Sequence, residues 1–294
     1  MTTFAAPPDL LVRTVRRGRR IRNVAALSLV WLAVLVAFVP LALVLYYVVR
    51  KGIGVMSLDF LTKTIPNFRT IGPGMGPAIV GTLMITGAAT VMAVPLGVLA
   101  AVYLNEYGAA NRLASLLRLL SDVMAGVPSI VMGLFIYTVW VLRFGVSGFA
   151  GSLALACLML PIVIRTTEAM LRLVPSELRE AAYALGCSKS RTTLTVALPA
   201  ALPGVVSGCL LAIARAAGET APLLFTILLI QGYNTHLFHG ANTALSTQIF
   251  LNAQQAYPGA QQRAWGAALA LIALVLLLII IARFVASRFS MPER

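Results

Sequence analysis

The sequence is short of charge. Only 11% of its 294 residues are Asp, Glu, Lys or Arg, against 60% hydrophobic. A soluble domain carries about 25% charged residues, so this chain has too few polar side chains to coat a globule. Soluble enzymes are excluded, and a mean hydropathy of +0.91 points to an integral membrane protein. Lysine is scarcer still. Lys51, Lys63 and Lys189 stand alone, and none follows a glycine in a G-x-x-x-x-G-K-[ST] phosphate loop. If ATP drives this protein, another chain must hydrolyse it. His236 and His239 form an H-x-x-H in a polar loop with no further ligands nearby, which reads as a solvated loop rather than a metal site. Cys157, Cys187 and Cys209 lack a metal-ligand spacing, and their odd number argues against a disulfide framework. With both histidines in a loop and few acids in apolar runs, an intramembrane enzyme lacks its acid–base constellation.

What is abundant is long apolar sequence. Stretches at about 24–49, 77–103, 119–142, 148–166, 201–230 and 265–287 each approach the roughly 20 residues that cross a bilayer as a helix. The spacing predicts an all-α membrane protein of six transmembrane helices. The net charge of +14 does not signal nucleic acid, because the basic residues lie between these runs. Sixteen of the 23 fall on the side that holds residues 1–23, 104–118, 165–198 and 283–294; six fall on the other, and Arg215 lies within a span. That bias predicts both termini cytoplasmic. The first apolar run is longer than the core of a cleaved signal, and Arg16-Arg17 reads as part of a cytoplasmic arm rather than a twin-arginine export signal. The expected organisation is an arginine-rich arm (1–23), a first helix with an outer loop (24–76), a membrane domain (77–287) and a tail (288–294). The outer loop at 231–264, rich in Gln, Asn, Thr and Gly, has room for a short re-entrant or interfacial turn.

One cytoplasmic loop is distinctive. After Pro175, the residues Ser176 to Leu185 place Leu178, Ala181, Ala182 and Leu185 at helical spacing, with Ser176 as N-cap and Gly186 as the C-terminal stop. At about two and a half turns the helix is too short to stand alone in water. It either fits a partner's groove or packs on the ends of its own bundle, and periodicity does not choose. Glu180-Ala181-Ala182, Gly186 and Val196-Ala197-Leu198-Pro199 resemble the EAA-x3-G-x9-I-x-L-P loop of binding-protein-dependent ABC importer permeases, with Val196 in place of Ile. The resemblance implies a type I ABC importer membrane domain over about 77–287. It also implies that Glu180, Ala181, Ala182, Gly186, Leu198 and Pro199 belong to the loop that docks on the ATPase subunit.

The sharpest anomaly is charge inside a span. A central Arg costs about 2.5–3.5 kcal/mol on insertion scales. Arg215 and Glu219 are four residues apart on one helical face and can pair, while Gly218 and Pro222 weaken the same turn. The pair either locks two helices or holds an arginine toward a translocation path, and the poor stabilising value of buried pairs favours the path. Arg suits a tetrahedral oxyanion because its planar fork offers paired donors. Arg165 and Glu168 make a second pair near a span end, read as structural or gating, and Asp122 with Arg118 as a surface pair. Pro128 is expected to kink the third span and Gly126 to allow close backbone approach.

Two segments carry a narrower resemblance. Arg215-Ala216-Ala217-Gly218-Glu219-Thr220-Ala221-Pro222 and Ala125-Gly126-Val127-Pro128-Ser129-Ile130-Val131 resemble the RA-x-GETAP and AGVPSIV segments of phosphate-specific ABC permease subunits, the A-type more than the C-type. The resemblance implies that Arg215, Glu219 and Thr220 line the substrate path, and Arg165 and Glu168 match charged positions of that family. It implies a second homologous permease subunit, an ATPase dimer and an extracytoplasmic phosphate-binding protein as partners. No cofactor is expected on this chain, since ATP and Mg belong to the partner ATPase. Sulfate, molybdate or phosphonate in place of phosphate, or an energy-independent anion channel, remain alternatives at this point.

Overall fold

The computed structural model describes residues 17–108 and 111–289, so most of the arginine-rich arm and most of the tail lie outside the described residues. The chain falls into two compact units, 1–49 and 50–294. The described part of the first is most of helix α1 (Arg17–Gly52), most of whose large apolar side chains are exposed. A helix that is apolar all round is satisfied by lipid.

The second unit opens with α2 (Leu58–Thr62) and α3 (Gly76–Val102), the latter continued by a π-helical turn at Tyr103–Tyr107. Next come α4 (Arg112–Gly126) and α5 (Ser129–Ile136), a π turn at Tyr137–Val141 and the single turn α6 (Leu142–Phe144). Then follow α7 (Gly148–Leu173), α8 (Ser176–Ala184) and α9 (Lys189–Thr192) with a third π turn, Thr193–Ala197. α10 (Leu198–Gly218), α11 (Ala221–Thr226), α12 (Leu245–Ala253) and α13 (Pro258–Phe289) complete the fold. No strand occurs among the described residues.

Among the described residues five helices are long and apolar enough to span, six if one bent pair is counted as a span. That pair departs from expectation. The third span turns by 105° between Arg112–Gly126 and Ser129–Phe144, a corner rather than a kink. Pro128 removes a helical N–H and pushes Val127 to extended geometry, φ −68° and ψ 128°. Gly126 ends α4 with open space where a β-carbon would sit, so it makes no close approach within this chain. The fifth span is also placed differently, at Lys189–Gly218 rather than 201–230. α10 stops at Gly218 instead of running to 230, because Pro222 offers no N–H to the Gly218 carbonyl and Glu219 turns extended, φ −69° and ψ 131°. The Ser246 hydroxyl donates to the freed Glu219 carbonyl at 2.8 Å.

The segments 50–76 and 231–264 do more than connect. Phe60, Ile65 and Met75 pack with Ala78 of α3, Leu245 of α12 and Ala267 and Ala270 of α13. Within 231–264 lies the short helix α12. Its leading amides are satisfied by side chains: Thr247 Oγ1 accepts from Ala244 and Thr82 Oγ1 accepts from Leu245 at 2.8 Å. That is how a helix end is tolerated where water is scarce.

The main core joins α3, α7 and α10 through Ile85, Ala89, Ala93, Leu155, Met159, Val163, Val205 and Ala212. Between lipid-bathed helices the driving force is close packing rather than water expulsion, and small residues permit it. At Gly208 of α10 a β-carbon would lie 2.4 Å from the Thr166 hydroxyl of α7. These two helices touch backbone to side chain.

Candidate functional site

Arg215 lies in the last turn of α10 and Glu219 caps it. The pair forms, with Arg215 Nε 3.6 Å from Glu219 Oε1. The two side chains differ in setting: Arg215 is 66% exposed and Glu219 19%. The break in the helix accounts for both. A cation in the last turn is favoured by the negative end of the helix dipole, worth about 0.3–1 kcal/mol, and the freed carbonyls face the same turn. Thr220 heads α11, half-buried and without a side-chain cap bond, and Pro222 is buried one turn further on. Gly218 has open space around it, so its value is local freedom. The arrangement is a discontinuous helix that presents one guanidinium on the surface of the chain, tethered loosely by one carboxylate.

A second charged layer lies along α4 and α7, and its partners differ from those read in the sequence. Arg165 does not pair with Glu168, nor Arg118 with Asp122. Glu168 Oε1 accepts instead from Arg118 Nε at 2.9 Å and from Arg172 Nη2 at 2.6 Å. Arg165 pairs with Asp122. The reason is geometric. α4 and α7 lie side by side, so Arg118 and Asp122 of α4 face Glu168 and Arg165 of α7 across the helix gap, while Glu168 also keeps Arg172 one turn along its own helix. Glu168 is nearly buried, whereas Arg165 and Asp122 are both exposed.

The coupling-like loop forms the short helix α8. Pro175, not Ser176, occupies the N-cap, so Ser176 is the first helical residue and no side chain caps the start. The stop is as expected. Gly186 takes φ +80°, its amide donates to Tyr183 O at 2.9 Å, and the Cys187 amide donates to Ala182 O at 3.0 Å. This pair of bonds is the Schellman closure that needs a left-handed residue. Of the apolar stripe only Ala182 is buried against this chain; Leu178, Ala181 and Leu185 are exposed, as is Glu180. Leu198 packs on the main core and Pro199 opens α10, anchoring the far end of the loop.

Sequence reasoning missed three residues: Arg179, Glu106 and Ser246. Arg179 donates to Val174 O at 2.7 Å, to Leu171 O at 2.9 Å and to Glu106 Oε1 at 3.1 Å. The signal for Glu106 was its rarity, as one of nine acids at the edge of an apolar run; its partner lies 73 residues away, beyond any local pattern. Ser246 was missed for the same reason. Among the described residues no group of three or more His, Cys, Asp or Glu is placed to hold a metal ion.

Residues 93–291 match the family described as binding-protein-dependent transport system inner membrane component. The phosphate transport system permease protein PstA of Yersinia pestis is 45% identical over 274 residues, covering 93% of this chain and 92% of that protein. PstA 1 of Mycobacterium tuberculosis is 42% identical over 287 residues, covering 95% and 94%. Among solved structures, a bacterial alginate ABC transporter in complex with a pentasaccharide-bound periplasmic protein superposes with a TM-score of 0.66 at 14% identity, over 95% of this chain and 100% of that one. An inward-facing MetNI methionine ABC transporter gives 0.52 at 20% identity, over 73% and 91%. The all-helical fold is that of a type I ABC importer membrane domain. Model, relatives and fold agree, and the chain belongs to the family of binding-protein-dependent transport system inner membrane components, as a permease subunit and not an enzyme.

Proposed function

We propose that this chain is a permease subunit that carries inorganic phosphate across the cytoplasmic membrane, as the names of its relatives suggest for them. In this reading both termini are cytoplasmic, the arm 1–23 and tail 288–294 flank the membrane part, and the membrane domain over 77–287 forms one half of a pore. A second homologous permease completes it. A dimer of ATPase subunits, holding ATP and Mg, grips α8 from the inside, and an extracytoplasmic phosphate-binding protein docks on the outer segments.

The observation that carries the reading is the exposed guanidinium of Arg215 at the broken end of α10. A guanidinium on lipid would be costly, by about 2.5–3.5 kcal/mol or more, whereas on a pore wall it meets water or an anion. Its planar donors match the oxygens of phosphate. An unaccompanied cation would hold a doubly charged anion too firmly to release it. Glu219, tethered at 3.6 Å, competes for the guanidinium and reclaims it as the anion leaves. Alternating access follows if ATP binds better to the outward-open state, since a ligand shifts an equilibrium only by its differential affinity. Exposed Leu178 and Leu185 offer the ATPase an apolar grip on α8.

The test is uptake of labelled phosphate by cells whose only phosphate importer contains this chain, with Arg215→Ala and Arg215→Lys beside wild type and with sulfate, molybdate and phosphonate as competitors. Arg215→Ala is expected to abolish uptake at unchanged expression, Arg215→Lys to restore part of it, and the competitors to have no effect. Undiminished uptake by Arg215→Ala refutes the pathway role, and inhibition by another oxyanion moves the substrate.

A further inference from the structure

Resting on the permease reading, we propose that Glu106 and Arg179 form a strut that makes α8 and the inner end of α3 move as one body, so that closure of the ATPase reaches the spans. Both are positioning residues. α8 needs such a device. Its nine residues bury only Ala182 against this chain, and it joins α7 through an extended turn at Val174 and Pro175. A push on a helix held so lightly would be absorbed by that turn.

Arg179 closes the turn from inside the helix. Its guanidinium donates to Leu171 O and Val174 O, two carbonyls at the end of α7, and to the Glu106 carboxylate. The carboxylate is deeply buried, with 6% of its side chain exposed, and the guanidinium is 18% exposed. A pair so shielded is screened little by salt, and either member left alone would be a buried charge without its counter-charge. Glu106 is itself oriented, since Asn105 Nδ2 donates to the same oxygen at 2.8 Å. It sits in the π-helical turn that ends α3, and the neighbouring carbonyl of Leu104 is held by Arg118 Nη2 at 2.7 Å. The other end of the loop grips the same turn, with Lys189 Nζ 5.0 Å from the centre of the Tyr107 ring.

The inner end of α3 is thus held from both ends of the coupling loop, by an ion pair ahead of Gly186 and a cation–π contact after it. α3 packs along α7 through Ile85, Ala89, Ala93, Leu155, Met159 and Val163. α7 meets α10 at Gly208, ten residues before the end of the helix that bears Arg215. Motion imposed on α8 has a continuous packed route to the proposed path only while the strut holds.

The experiment uses the complete transporter, reconstituted with its binding protein, and reads phosphate carried and ATP hydrolysed on the same vesicles. Glu106→Gln, Arg179→Lys and the double variant are compared with wild type after copurification of the ATPase subunits is confirmed. Each single variant is expected to keep basal ATP hydrolysis, to lose its stimulation by loaded binding protein, and to lose phosphate carried per ATP by about tenfold, within the range of typical coupling energies. The double variant is expected to lose no more than either single. An unchanged ratio in assembled single variants, or losses that multiply in the double, overturns the strut. If Glu106→Gln does not assemble, Glu106→Asp, which keeps the charge and withdraws it by one methylene, is read in the same way. A wild-type complex whose ATPase is stimulated by loaded binding protein but which carries no phosphate refutes the substrate reading instead. The strut is then judged by that stimulation, which the variants are expected to lose and which, if retained, overturns it.

Discussion

A β-carbon on Gly133 would lie 2.6 Å from the Cα of Pro222. Through this contact the two broken spans meet: α5 begins just after the corner at Pro128, and α11 begins just after the break that follows Arg215. The site therefore depends on a glycine the motifs do not single out. Backbone against backbone leaves no flexible side chain to yield, so Gly133→Ala is expected to destabilise the subunit by about 1–3 kcal/mol. Its melting temperature in detergent should fall and uptake with it. A variant that melts with wild type would show that the two breaks are free to separate.

Glu168 serves two arginines with one oxygen. Glu168→Gln removes the charge that both share, and because Arg118 and Arg172 are partly solvated the cost is expected to be modest, about 1–2 kcal/mol. Asp122→Asn breaks an exposed pair and should cost less than about 1 kcal/mol. Thermal denaturation of the two variants checks the order, and the reverse order would contradict it.

Arg263 is 1% exposed and donates to the carbonyls of Thr70, Gly72 and Asn67 at 2.8, 3.3 and 3.2 Å. It staples the outer segment to the first turns of α13. Arg263→Met fills the volume without the donors, and is expected to loosen residues 67–72 by about 2–4 kcal/mol, given about 1.5–3 for a hydrogen bond to a charged group. Protease added outside spheroplasts should then cut this stretch faster. Equal cutting rates would show that the apolar anchors Phe60, Ile65 and Met75 suffice.

Much of the architecture was legible because it is local. Apolar runs mark helices that need no partner to be recognised, and five of the six expected spans are present as long helices, the one expected at 201–230 displaced to Lys189–Gly218. Gly186 ends α8 because only a left-handed residue allows its closing bonds, a constraint carried by the residue itself. Arg215 and Glu219 pair because four residues of helix bring them together.

What was misread is what two helices settle between them. The i, i+3 spacing of Arg165 and Glu168 is real, yet each found a closer partner on α4. Pro128 announced a disturbance but not its size, since a kink and a 105° corner differ in what packs around them. Gly126 makes no close approach within this chain, whereas Gly133, which no motif marks, does.

The sequence by itself determined the membrane class, the positions of the helices, the stop of α8 and the pairing within one turn at Arg215 and Glu219, because each depends on residues a turn or a span apart. Only the tertiary structure decided that Arg179 reaches Glu106, that Arg118 takes Glu168, that Arg263 holds the outer segment and that Ser246 caps the broken helix. Those contacts depend on how each helix is rotated about its own axis, and that angle is set by the packing of small residues between neighbours.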